Sequence, residues 1–210
     1  VHHERPELLE QAIASLQRQD YPNFEVILVD DGSLSAEAQT YLHHLEDVFQ
    51  QNNWTIIRQE NAFLGAARNR AAQNARGEWL LFMDDDNIAK KNEISTFVHA
   101  ALHSGADILT CFSDVFTGKE TPTVSSAYWA PLGGDLGGGI FRNVYGDANA
   151  LIRKSVFVAL GGFTEDYGMG HEDWEFFHRA VQEGYYLELV PEALFWYRVQ
   201  KDGMLRSGSV

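Results

Sequence analysis

Four short apolar runs recur along the chain: EVILV (25–29), WTIIR (54–58), EWLLFM (78–83) and DILTCF (107–112). The segments between them have helical spacing. That alternation constrains the fold more than any other feature. EVILV in particular is apolar at consecutive positions, as suits a strand covered on both faces of a parallel sheet. The first helical segment follows Pro6 and puts Leu8, Leu9, Ala12, Ile13 and Leu16 on one face. Residues 35–51, the Ala-rich 64–75 and 91–104 read the same way. Strand and helix in alternation predict an α/β fold with a mostly parallel, Rossmann-like sheet flanked by helices.

The second half is less regular. Five of the ten residues 132–141 are Gly, which reads as a mobile or ligand-facing loop. A short strand or bend is expected over 148–152 and a helix over 170–184. YYLELV (185–190) and LFWYRV (194–199) read as two strands around Pro191.

Two of the buried runs end in carboxylates, Asp30–Asp31 and Asp84–Asp85–Asp86. Both clusters fall at the carboxyl ends of strands, where open α/β sheets bind ligands. Asp84 and Asp86 are two apart, so in extended backbone they point the same way. Two hard oxygen donors on one side suit Mg²⁺ or Mn²⁺; the plain alternative is a solvated acidic loop. Asp30 and Asp31 are either an Asp-Gly turn or acceptors for a base or ribose. Glu172 and Asp173 open a helix, where acids suit the dipole, or supply a general base. His171 beside them is a metal ligand, a proton carrier or neither. Arg68, Asn69 and Arg70 read by default as a solvated helix face. Trp129, Trp174, Trp196 and Tyr197 are core by default, or platforms for sugar rings.

A net charge of −14 argues against a nucleic-acid surface, but not against a nucleotide held through a divalent cation. The single Cys111 excludes an intramolecular disulfide. No apolar stretch approaches the roughly 18–20 residues of a membrane span, and no signal-peptide pattern opens the chain. The expected setting is cytoplasmic, at the inner membrane face if the acceptor is lipid-linked.

Three segments in this order and spacing resemble the family 2 glycosyltransferases of the GT-A fold: residues 4–33, 65–87 and 160–185. The resemblance covers nearly the whole chain and is weakest over 113–146. It implies one glycosyltransferase domain over 1–210, with a nucleotide-sugar half (1–112) and a smaller acceptor half (113–210). Asp86 would bind the divalent metal, Mn²⁺ or Mg²⁺, that bridges the donor diphosphate. Asp84 would assist the metal or contact the ribose, and Asp85 would fill the variable middle position of the nucleotide-sugar motif. Asp30 would hydrogen-bond the base, usually uracil, and Arg68 would join the nucleotide-sugar site. Asp173 would be the general base and Glu172 its neighbour on the acceptor side. Arg198 and Arg206 are candidates to fold over the diphosphate. The implied reaction is a single inverting displacement onto the hydroxyl of a glycan or lipid-linked acceptor, in polysaccharide or glycoconjugate synthesis.

One departure stands out. The family begins with an apolar central strand, and here only Val1 could be its end. The expectation is a missing first strand, in a chain that starts after part of its domain or is one piece of a longer protein. His2, His3 and Glu4 would then lie near the base pocket. Two rivals remain: a non-catalytic glycosyltransferase-like binding module, and a nucleotidyltransferase, which would release pyrophosphate.

Overall fold

The structure, a computed structural model, describes residues 1–165 and 170–199. Helix α1 (Pro6–Leu16) starts with proline in its first turn and buries Leu8, Leu9, Ala12 and Ile13. Strand β1 (Ile27–Asp31) runs parallel to β2 (Thr55–Gln59), in register from Ile27–Thr55 to Asp31–Gln59. Between them α2 (Ala36–Gln51) is capped by Ser35, whose hydroxyl accepts from the Ala38 N–H at 3.2 Å. Glu4 adds a carboxylate at the same end, accepting from the N–H groups of Leu34 and Ser35. Both Asp30 and Asp31 therefore belong to the strand itself, two residues further along than the apolar run suggests.

On the other edge of β1, His2 forms a parallel bridge with Asp30: its N–H donates to Val29 O and its carbonyl accepts from Asp31 N, each at 2.9 Å. The β1–β2 pair stands apart from a second, six-stranded sheet. Helix α3 (Phe63–Asn74) leads to that sheet, which holds β3 (Trp79–Leu81), β4 (Ile88–Ala89), β5 (Ile108–Thr117), β6 (Ala127–Trp129), β7 (Leu151–Arg153) and β8 (Leu187–Val199). Its order is β3-β7-β5-β8-β4, with β6 beside β5. Only β5–β8 is parallel there, so this sheet is mixed. The two expected closing strands are one long β8. Its register against β5 slips where Cys111 faces Val190 and Phe112 faces Ala193, skipping Pro191, which has no N–H to donate to a ladder.

Helix α4 (Glu93–Ser104) covers β8 and β5, and α6 (Lys154–Ala159), unforeseen in the sequence, follows β7 directly. Helix α7 (Glu172–Gln182) packs Phe176, Phe177 and Ala180 into the core.

The glycine-rich segment, expected as a mobile or ligand-facing loop, holds one short helical element. Residues Leu136–Gly139 form a single helical turn, α5, capped by Asp135 at Gly137 N (3.1 Å). The glycines serve close packing here: a Cβ on Gly139 would collide with the phenol of Tyr145, whose ring is fully buried. Gly139→Ala is accordingly expected to cost about 1–3 kcal/mol through overpacking. Thermal unfolding several degrees below the unaltered chain would show it, and an unchanged midpoint would contradict it.

Candidate active site

One aromatic cluster sets the end of β3 against the first turn of α7. Phe82 packs on Phe157 and Phe163 with ring centroids 5.2 and 5.0 Å apart, and these pack on Phe176 at 5.2 and 5.1 Å. Asp84 lies two residues beyond Phe82, and Asp173 three before Phe176. The cluster thus brings two acidic motifs together from positions nearly 90 residues apart.

The three adjacent carboxylates do not share one environment. Asp85 has 1% of its side chain exposed and is held by Arg5 and by His2, whose Nδ1 lies 2.8 Å from its Oδ2. Asp84 and Asp86 keep 25% and 16% exposure. Asp85 and Asp86 lie in a turn rather than in the extended backbone the spacing argument assumed. Arg5 also donates to Asp86 Oδ2 at 3.0 Å. Nothing in the sequence pattern marked Arg5 or the His2 contact, because both join the first residues to a segment about 80 positions away.

Arg68 joins the two motifs. Its guanidinium is almost wholly buried, donates from Nη2 to Asp84 Oδ1 at 2.6 Å, and donates from Nη1 to Glu172 Oε1. Burial opposes its charge, but Asp84 and Glu172 outweigh burial and raise its pKa. Burial also works against charge on Asp84, and Arg68 reverses that, leaving this carboxyl below its ordinary value. The solvated face expected for Arg68, Asn69 and Arg70 holds only for Arg70. A Cβ on Gly65 would collide with Thr164 O, so this part of α3 lies hard against residues 162–165. Asn69 exchanges two hydrogen bonds with the Phe163 backbone there, at 2.8 and 2.9 Å. The small residues Gly65-Ala66-Ala67 were the available signal for this close approach.

Asp173 is partly exposed beside Glu172 and accepts from the Trp174 N–H at 2.7 Å. Burial, with Glu172 and Asp84 nearby, outweighs the opposing Arg68 and raises its carboxyl to about 6. At pH 7 a group with that value is still about nine-tenths ionised.

A third acid was missed entirely. Asp147 is raised to about 8, by burial first and then by Asp84 and Asp173. Tyr197 is raised by burial and then by Asp147, Asp84, Asp86 and Asp173, and its ring packs against the core cluster that holds Phe195. Trp129 lies beside it, ring centroids 6.2 Å apart. Trp196 packs on Phe116, and Trp174 donates from Nε1 to Gly139 O at 2.8 Å.

The remaining candidates divide. Asp30 is buried and accepts from Ser33 N at 3.2 Å; Asp31 accepts from Gln59 Nε2 and Ala62 N at 2.8 and 2.9 Å. Arg198 reaches the triplet but through backbone, donating to Asp86 O at 2.9 Å, with further bonds to Gln11 and Gly118. Arg206 lies outside the described residues. His171 is exposed, with a left-handed φ of 72°. Among the described residues no three His, Cys, Asp or Glu side chains are grouped as a metal-binding set. Nor is any described helix long and apolar enough to cross a membrane.

Curated glycosyltransferases are 29% to 40% identical to the chain over stretches of 75 to 123 residues. One is the GalNAc(5)-diNAcBac-PP-undecaprenol beta-1,3-glucosyltransferase of Campylobacter jejuni, 29% identical over 97 residues, covering 46% of this chain and 31% of that protein. The chain spans between 14% and 42% of the length of relatives such as this. Among solved structures, S. aureus TarS 1–349 in complex with UDP-GlcNAc has a TM-score of 0.72 at 21% identity, over 96% of this chain and 58% of that one. The mannosyltransferase PcManGT from Pyrobaculum calidifontis, in complex with GDP-Man and Mn²⁺, scores 0.71 at 17% identity, over 98% of this chain and 57% of that one. These likenesses establish the GT-A fold. A family model, Glycosyl transferase family 2, matches residues 1–161, and the chain belongs to that family.

Proposed function

We propose that the chain transfers a sugar from a nucleoside diphosphate sugar, with UDP as the nucleotide, to an acceptor hydroxyl with inversion at the anomeric carbon. The observation that carries this reading is the Arg68 bridge. One buried guanidinium ties Asp84, at the cleft side of the acidic triplet, to Glu172, the neighbour of Asp173. A donor-side carboxylate and the neighbour of a candidate base are thereby held by one side chain. Residues 1–112 would serve the nucleotide and 113–210 the acceptor.

In this reading Asp173 takes the proton from the acceptor hydroxyl as its oxygen attacks the anomeric carbon, and the bond to the diphosphate breaks on the opposite face. Asp30 would accept from the base. Asp84 and Asp86 are the two partly exposed carboxylates of the triplet, each also paired with an arginine, and hard oxygen donors of this kind suit a divalent cation. Those two would hold the ion, with phosphate oxygens and water supplying the other ligands. Such an ion, when bound, offsets charge on the leaving diphosphate. The Mn²⁺ in PcManGT and the UDP-GlcNAc in TarS support this choice of cation and nucleotide. An acceptor carried on a lipid, as in the name of the Campylobacter relative, is one acceptor class to assay.

The test is thermal unfolding with UDP, GDP, CDP and TDP, each with and without Mn²⁺. A ligand at about 100 times its dissociation constant adds roughly 2.7 kcal/mol, a shift of several degrees. The expected result is a shift with UDP that requires Mn²⁺. Absence of any shift would overturn the donor reading, and a larger shift with GDP would reassign the base.

A further inference from the structure

Glu93 is the first residue of α4 and is fully buried, yet it has no ion-pair partner among the described residues. The two lysines before it are placed elsewhere: Lys90 donates to Asp114 Oδ2 at 2.6 Å, and Lys91 is exposed. What meets Glu93 is an amide. Asn149, buried two residues before β7, donates from Nδ2 to Glu93 Oε1 at 2.6 Å. The other atom of each group, Glu93 Oε2 and Asn149 Oδ1, is buried with no hydrogen-bond partner among the described residues. Both are acceptors when Glu93 is ionised. A buried carboxylate with no cation and one bare oxygen is costly, and so is a bare buried amide oxygen. One proton on the carboxyl removes both costs: it neutralises the acid and supplies the O–H that the amide oxygen lacks. Burial accordingly outweighs the Asn149 bond and raises the Glu93 carboxyl to about 8.

The titratable groups on the surrounding elements supply no countercharge. Cys111 on β5 and Tyr197 on β8 are both pushed up, by burial first, so they stay neutral across the same range. Asp114 on β5 is taken by Lys90, while Glu192 on β8, Asp20 after α1, and His99 and His103 on α4 itself are exposed. Asp147 is also raised to about 8, by burial and then by Asp84 and Asp173.

We propose that Glu93 and Asn149 form a proton-dependent latch: the protonated carboxyl and the amide exchange two hydrogen bonds that hold the segment before β7 to α4, and loss of the proton releases it. Asn149 leads into β7, between β3 and β5, and its backbone N–H donates to Asp147 Oδ1 at 2.9 Å. Release therefore frees the side chain that fixes the entry into β7. A carboxyl with a raised folded-state pKa stabilises when protonated: fully below the ordinary carboxylate value, and no longer once pH rises through about 8.

The experiment compares the unaltered chain with Glu93→Gln between pH 5.5 and 9. Glutamine keeps the two-bond pattern at every pH, and Asp147 and Asp173 titrate in both chains, so they cancel in the difference. The unfolding midpoint of Glu93→Gln minus that of the unaltered chain is expected to rise by several degrees as pH increases to about 8, then level off. Hydrogen exchange over residues 147–151, read at one pH near 9, is expected to be several-fold faster in the unaltered chain than in Glu93→Gln. A midpoint difference that does not change with pH would overturn the latch, and so would equal exchange in the two chains. Carboxyl ¹³C titration of Glu93 in the unaltered chain decides the question if the glutamine variant does not fold. A transition well above the ordinary carboxylate value is expected there, and one at the ordinary value would overturn the latch. None of these readouts needs a nucleotide, so their failure is distinct from failure of the donor reading.

Discussion

Asp173→Asn is expected to lose sugar transfer by roughly 10²–10⁴-fold, the usual contribution of a positioned general base, while nucleotide binding is retained. The amide keeps the shape and the acceptor for Trp174 N, so the change isolates proton removal. A linked result concerns pH. The base works only when ionised, and its carboxyl is raised to about 6, so transfer by the unaltered chain should fall as pH drops through that value. The same shift sets the sign for stability. A carboxyl with a raised folded-state pKa stabilises when protonated: fully below the ordinary carboxylate value, and no longer once pH rises through about 6. At pH 7.5 the ionised group contributes no such stability, so the asparagine variant should unfold at the same temperature as the unaltered chain or higher. Lost activity with a lowered unfolding temperature would point to structural damage. Retained activity would remove Asp173 from the base role.

Arg68→Met is expected to be the most destabilising single change in the cleft. The side chain is 4% exposed and bridges two carboxylates. Without it Asp84 and Glu172 are left together without their shared cation. Removing one partner of a buried ion pair costs about 3–5 kcal/mol, which for a chain of this length lowers the unfolding midpoint by roughly 6–20 °C. Arg68→Lys should recover little of this, because a single ammonium cannot reproduce a planar fork donating to two carboxylates from separate nitrogens. Calorimetry of the three chains at one pH decides it. A midpoint within a degree or two in Arg68→Met would mean that the two carboxylates separate into water at little cost.

The alternation of apolar runs and helical segments was enough to place most of the elements, because each strand and helix carries its own burial pattern locally. The acidic residues that follow two of the apolar runs were equally legible, but the structure puts β1 and β3 in separate sheets and Asp30 and Asp31 within β1, which the local pattern did not record. Element types failed where local pattern misled. The glycines of 133–139 look like freedom in a sequence, yet Gly139 is there because Tyr145 leaves no room for a side chain. Helix α6 is too short for its period to stand out between β7 and the turn at Gly161–Gly162.

By itself, then, the sequence determined an α/β chain of family 2 type, with Asp84, Asp86 and Asp173 as its most conspicuous acids. Only the tertiary structure decided how those acids are held. The Phe82–Phe157–Phe163–Phe176 cluster brings β3 and α7 together, and Arg68 is buried between their carboxylates. His2 and Arg5 hold Asp85, and Asn149 joins the segment before β7 to Glu93 at the start of α4. Each of these joins residues far apart in the chain. The identity of a charged residue gives its possible partners, but which one it meets, and how far from water, depends on packing that no local pattern records.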